Sequence, residues 1–72
     1  MTHESIWRAI DSVAKKLGVT PSGLAKLCDL NPTSFNKSKR VNKYGQLRWP
    51  CVSTLAKVIQ AAGISDQEFF EL

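Results

Sequence analysis

The chain has 72 residues and a formal net charge of +4. That length bounds it to one domain with a small core, and a hydrophobic content of 43% is enough for it to fold rather than stay disordered. No apolar run is long enough to span a bilayer, and the N-terminal MTHES lacks the basic and apolar regions of a secretory signal, so the expected location is the cytoplasm.

The first element is a helix. Ile6, Trp7, Ile10, Val13, Ala14 and Leu17 recur every three or four residues and make one apolar stripe. Gly18 follows as the stop. Thr20-Pro21 then starts a second, short helix: threonine caps free amides, and proline has its φ preset for the first turn. Leu24, Ala25, Leu27 and Cys28 are its expected inner face. Asn31-Pro32 repeats the start signal only a few residues later, and Phe35 is the one apolar anchor of an expected third helix. The stretch VNKYGQLRWP is a longer connection with a turn at Gly45, where a small hairpin is an option. Pro50 opens a fourth helix bearing Val52, Leu55, Ala56, Ile59 and Ala62, stopped by Gly63. Ser65 followed by Glu68 is a capping-box pattern that opens a fifth helix with Phe69, Phe70 and Leu72. The expected fold is all-α, a compact bundle of five helices.

Charge is unevenly distributed. The acids are Glu4, Asp11, Asp29, Asp66, Glu68 and Glu71, and none lies between Leu30 and Ser65. That gap holds Lys37, Lys39, Arg40, Lys43, Arg48 and Lys57. A purely positive middle is the footprint of a polyanionic partner, although a solvated basic loop produces the same pattern.

Two capped helices around a tight turn form the helix-turn-helix pattern, here TPSGLAKLCDLNPTSFNKSKR, Thr20 to Arg40. Ala25 is small where the helices approach. Leu24, Leu27 and Leu30 pack inside, and Phe35 holds the second helix down. The spacing of Ala25, Leu30 and Phe35 and the helix count over the whole chain resemble the lambda-repressor-like family. FNKSKR and the later RWP and LAKVI more narrowly resemble the N-terminal domains of phage-type repressors. Asp29 occupies the turn slot where that family often has glycine, and aspartate tolerates a left-handed backbone. Ser38 stands in a slot that is often apolar.

The resemblance implies sequence-specific binding of a double-stranded DNA operator by a transcriptional regulator, a repressor being the expected kind, with the third helix in the major groove. Thr33, Ser34, Asn36 and Lys37 are then the candidate base contacts. First-turn capping is the competing role of Thr33 and Ser34, and a solvated position that of Asn36. Lys39, Arg40, Lys43 and Arg48 are candidate phosphate contacts. The amides near Thr20 and Ser22 are further phosphate candidates. A weak homodimer, or a dimer formed on DNA, is expected, with Phe69, Phe70 and Leu72 as apolar contacts. A C-terminal peptidase or oligomerisation domain, which some relatives carry, can lie outside this chain. The alternative is a protein-interaction module, antitoxin-like or adaptor, on the same bundle. RNA binding is a weaker third reading.

The remaining chemistry-bearing residues suggest no enzyme. Cys28 and Cys51 are a widely spaced pair read as reduced thiols, one buried in a helix and one near a helix start. His3 is a lone histidine, and no cluster has zinc spacing. No nucleophile, base and orienting group are placed for catalysis, so neither a cofactor nor a metal is expected. Tyr44 and Trp49 lie among basic residues. Trp49 is read as packing against the bundle, with stacking on single strands as the less favoured role.

Overall fold

The computed structural model describes residues 2–71, folded as four α-helices with one short 3₁₀ turn. Helix α1 spans His3–Lys16. Thr2 caps it: its hydroxyl accepts from the Ser5 amide at 3.0 Å, and its own amide donates to the Ser5 hydroxyl at 2.8 Å. The stripe Ile6, Trp7, Ile10, Val13 and Ala14 is buried together with Ala9 and forms about half of the core. The helix stops where the Val19 amide reaches back to the Ala14 carbonyl and the Gly18 amide to Lys15, with Gly18 at φ +71°.

Helix α2 spans Pro21–Leu27, and the Thr20 hydroxyl caps it by accepting from the Gly23 amide at 3.1 Å. It ends in the same way as α1. The Leu30 amide donates to the Ala25 carbonyl and the Asp29 amide to Lys26, with Asp29 in the left-handed region at φ 58°. Aspartate thus takes the position that glycine usually fills. Leu24, Ala25 and Cys28 are buried, but Leu27 is 60% exposed and leaves the expected inner face.

The expected third helix does not form as an α-helix. Pro32–Phe35 is a pair of turns closed by Ser34 N to Asn31 O and Asn36 N to Thr33 O. Asn36 is extended (φ −65°, ψ 147°), and Lys37–Lys39 is a single 3₁₀ turn. The cause is local. The Asn31 side-chain oxygen accepts from both the amide and the hydroxyl of Thr33, at 3.0 and 2.8 Å, and this Asx turn competes with helical bonding. A stretch with one apolar anchor has too little packing to outweigh the cost of starting a helix. Phe35 is nevertheless anchored as expected, 1% exposed and edge-on to Trp7.

A small hairpin follows. Val41 bridges Leu47, Asn42 pairs with Gln46, and Gly45 turns at φ +78°. Helix α3 spans Val52–Ala62 and α4 spans Asp66–Phe70. On α3 Val58 is buried and Leu55, Ile59 and Ala62 of the expected stripe pack against the core, while Val52, 82% exposed, and Ala56, also exposed, lie off it. Ser65 caps α4 by accepting from the Glu68 amide at 3.1 Å. Phe69 closes the core, fully buried, which removes it from the expected dimer contacts; Phe70 is half exposed, and Leu72 lies outside the described residues. No helix among the described residues is long and apolar enough to cross a membrane.

Candidate nucleic-acid interface

The basic middle of the chain wraps one side of α1 and is fastened there by side chains from α1 itself. Arg40 is the principal fastener. Its guanidinium donates to both carboxylate oxygens of Asp11, at 3.0 and 2.6 Å, and to the Phe35 carbonyl at 3.0 Å. It also lies over the Trp7 ring, 4.8 Å from the centroid. Only 12% of the Arg40 side chain is exposed. Two parallel N–H···O bonds suit a planar fork, which is why arginine rather than lysine holds such a position. The Arg40 side chain, expected to meet phosphate, is turned to the protein in this structure, with its Nε buried and without a partner among the described residues.

His3 closes the base of the hairpin. Its Nε2 lies 2.9 Å from the Arg40 carbonyl and 2.8 Å from the Arg48 carbonyl. With the proton on Nε2, that one N–H is shared between the two carbonyls, and the Trp7 Nε1, 3.0 Å from the same nitrogen, then turns its own N–H to Arg48. The Trp7 indole N–H donates to the same Arg48 carbonyl at 3.0 Å. The Arg48 amide in turn donates to the Arg40 carbonyl at 2.8 Å. Both arms of the hairpin are thus pinned to the first turns of α1. Sequence reading missed this cluster, because no local signal links His3 to positions 40 and 48.

The other basic side chains point outward. Lys37, Lys39, Lys43 and Arg48 are exposed, and none forms an ion pair among the described residues. The Lys43 ammonium rests 5.1 Å from the Tyr44 ring centroid near the hairpin tip. Lys57 lies on α3, away from this group and beside the buried Cys28.

The candidate base contacts cluster around Phe35. Thr33 is exposed but its hydroxyl is already bonded to Asn31, and Ser34 is half-buried. Asn36 is half-buried, with its side-chain oxygen 3.5 Å from the Ser22 hydroxyl, a weak bond at the limit of useful distance. The structure therefore brings Ser22 next to Asn36, and Lys37 follows on the 3₁₀ turn. Thr20 spends its hydroxyl on the cap of α2.

Comparison with known proteins returns no match: no family model, curated protein or solved structure is detectably similar to this chain.

A cleft of about 330 Å³ opens between the Asn31–Phe35 turn and the segment from Arg48 to Thr54. Thr33 and Ser34 line it from the turn, Arg48, Trp49 and Thr54 from the facing segment, and Trp7 and Lys39 also border it. Trp49 is 53% exposed, more open than the packed role expected for it, and His3 meets its ring edge-on at 5.5 Å. Beyond the cleft, Cys51 sits just before α3 with an exposed thiol, 3.2 Å from the Ser53 hydroxyl and 3.0 Å from that of Thr54. Those two hydroxyls, by bonding the thiolate, lower its pKa to about 7. Burial instead pushes the Cys28 thiol up.

Proposed function

We propose that this domain binds double-stranded DNA in a sequence-dependent way, as the DNA-reading part of a transcriptional regulator of the phage-repressor kind. One observation carries the reading. The surface built from residues 31–49 carries only positive charge, its lysines and Arg48 face solvent, and it is fixed in shape by Arg40, His3 and Trp7 beneath it. Asp11 is taken up by Arg40, and a positive surface already fixed in shape neutralises phosphates with little rearrangement. In this reading Lys37, Lys39, Lys43 and Arg48 hold the backbone. Thr33, Ser34, Asn36 and Lys37 reach base edges from the turn and the 3₁₀ segment, in place of a longer recognition helix.

A protein-interaction role is the second reading, favoured by the exposed Leu47, Trp49 and Val52, which run from the hairpin into α3. Selection on random duplexes, followed by titration of the winner across a range of salt, separates the two. A consensus sequence with a steep salt dependence supports DNA reading; no enrichment and a flat response support the second role.

A further inference from the structure

We propose that the cleft between the Asn31–Phe35 turn and the Arg48–Thr54 segment binds a single unpaired nucleotide, its base stacked on Trp49 and its phosphate held by Lys39 and Arg48. The inference goes beyond duplex binding, because a paired base has no free face to offer. The cleft shares Lys39, Arg48, Thr33 and Ser34 with the face assigned to duplex DNA, so the two occupants compete. The inference does not depend on that reading, since a free nucleotide can occupy the cleft whether or not the domain reads a duplex.

Size is the first argument. A volume of about 330 Å³ lies at the lower end of the ~300–1,000 Å³ typical of small-ligand sites. That is on the scale of one nucleotide.

The second argument is the state of Trp49. The chain has two tryptophans, and Trp7 is 5% exposed while Trp49 is 53% exposed. In so small a core, an aromatic left half open forfeits burial that the fold could use. Its ring is nonetheless held. His3 packs edge-on against it, and His3 is itself fixed by the Arg40 and Arg48 carbonyls. Pro50 restricts the backbone that follows. A flat apolar surface presented in one orientation stacks a base with little ordering cost.

Charge supplies the third. Lys39 and Arg48 border the same cleft, both exposed and neither in an ion pair among the described residues. A cation pair beside an aromatic platform matches the two halves of a nucleotide, an anionic phosphate and a flat base. The hydroxyls of Ser34 and Thr54 lie within the same lining and supply polar contacts for the sugar or base edge.

The unpaired nucleotide has two possible sources, a stretch of single strand or a free mononucleotide. Both are tested by isothermal titration calorimetry, which reads the wild type and the Trp49 variants alike, with Trp49 emission followed in the wild type as a second readout. The probes are deoxyadenosine monophosphate, a short single-stranded oligodeoxyadenylate, an abasic strand of equal length and inorganic phosphate. The expected result is binding of the base-bearing probes with quenched emission, the abasic strand and phosphate being roughly tenfold weaker or worse. Trp49→Ala should weaken the base-bearing probes by roughly tenfold or more, whereas Trp49→Phe, which still stacks, should lose less. Thermal melts of both variants establish that they fold. A strand that binds far better than the mononucleotide identifies single-stranded nucleic acid as the source; comparable affinities identify a free nucleotide. Equal binding of abasic and base-bearing strands overturns the proposal, as does wild-type affinity in folded Trp49→Ala or no binding of any probe. Duplex binding that leaves Trp49 emission unmoved, together with no response to unpaired bases, removes this inference and leaves the duplex reading standing.

Discussion

Arg40 and Asp11, 29 positions apart, meet in a two-pronged ion pair that ties the basic segment to the middle of α1. The arginine is mostly buried and the aspartate is 38% exposed. Removing either partner strands the other. Full burial would make that loss about 3–5 kcal/mol, and the water that still reaches Asp11 reduces it to about 2–3. Arg40→Ala should therefore lower the melting temperature by roughly 10–20 °C in a domain of this size. Arg40→Lys should recover little, because an ammonium cannot span both carboxylate oxygens and the Phe35 carbonyl. A double-mutant cycle with Asp11→Ala measures the coupling directly. Additive losses would show that the two side chains do not act as a pair.

Phe35 is the apolar anchor of the same segment. It is 1% exposed and packs edge-on to Trp7, with ring centroids 6.4 Å apart. Phe35→Ala should cost about 3–5 kcal/mol, the range for emptying a buried aromatic site. That is a large share of what so small a domain has, so the variant should melt broadly or be unfolded at room temperature. Phe35→Leu should remain folded with a smaller loss. Calorimetry decides, and a melting point for Phe35→Ala within a few degrees of wild type would mean the turn is not docked.

The two cysteines should separate cleanly by reactivity. Thiolate is the attacking form, and its fraction grows with pH. The Cys51 pKa is lowered from 9.0 to about 7 by the Ser53 and Thr54 hydroxyls, so its alkylation should reach half of its plateau near pH 7. Cys28 is buried and its pKa is raised, so it should react only once the domain is unfolded. Replacing Ser53 and Thr54 with Ala and Val should move the Cys51 midpoint back toward 9.0. Mass spectrometry after brief iodoacetamide treatment across a pH series gives both rates. Equal labelling of the two thiols in the folded protein would contradict the burial of Cys28.

Helices α1 and α2 were legible because their signals are local. The period of Ile6 to Ala14 and the Thr20-Pro21 start are written within single turns, and even the left-handed Asp29 followed from what its side chain tolerates. The segment from Asn31 to Arg40 reads as a helix in sequence for an equally local reason. Asn31 and Thr33 serve a helix start and a free turn equally well, and only the lack of further apolar anchors separates the two. Leu27 and Val52 read as inward only by their apolarity, and an exposed apolar residue is ordinary. Arg40 differed from Lys39 in nothing a sequence displays. Its burial depends on Asp11, and the His3 clamp depends on carbonyls at positions 40 and 48, which are contacts created only when the chain closes on itself.

The DNA-binding reading makes its most specific demand on Asn36 and Lys39, which should fail in different ways. Lys39 is exposed on the 3₁₀ turn and assigned to phosphate. Lys39→Ala should weaken binding to all duplexes alike and reduce the slope of log affinity against log salt by about 1. Asn36 is held only by a long contact to Ser22 at 3.5 Å, so an adenine edge can replace that partner at small cost. Asn36→Ala should relax preference at one base pair of the selected site, by about 1–3 kcal/mol, with an unchanged salt slope and a nearly unchanged melting point. The measurement compares selected and scrambled duplexes at matched salt for wild type and both variants. If Asn36→Ala loses equally on the two duplexes, Asn36 touches the backbone, and reading falls to Thr33, Ser34 or Lys37. If Lys39→Ala leaves the salt slope untouched, the outward lysines do not meet phosphate, and the positive surface has lost the role assigned to it.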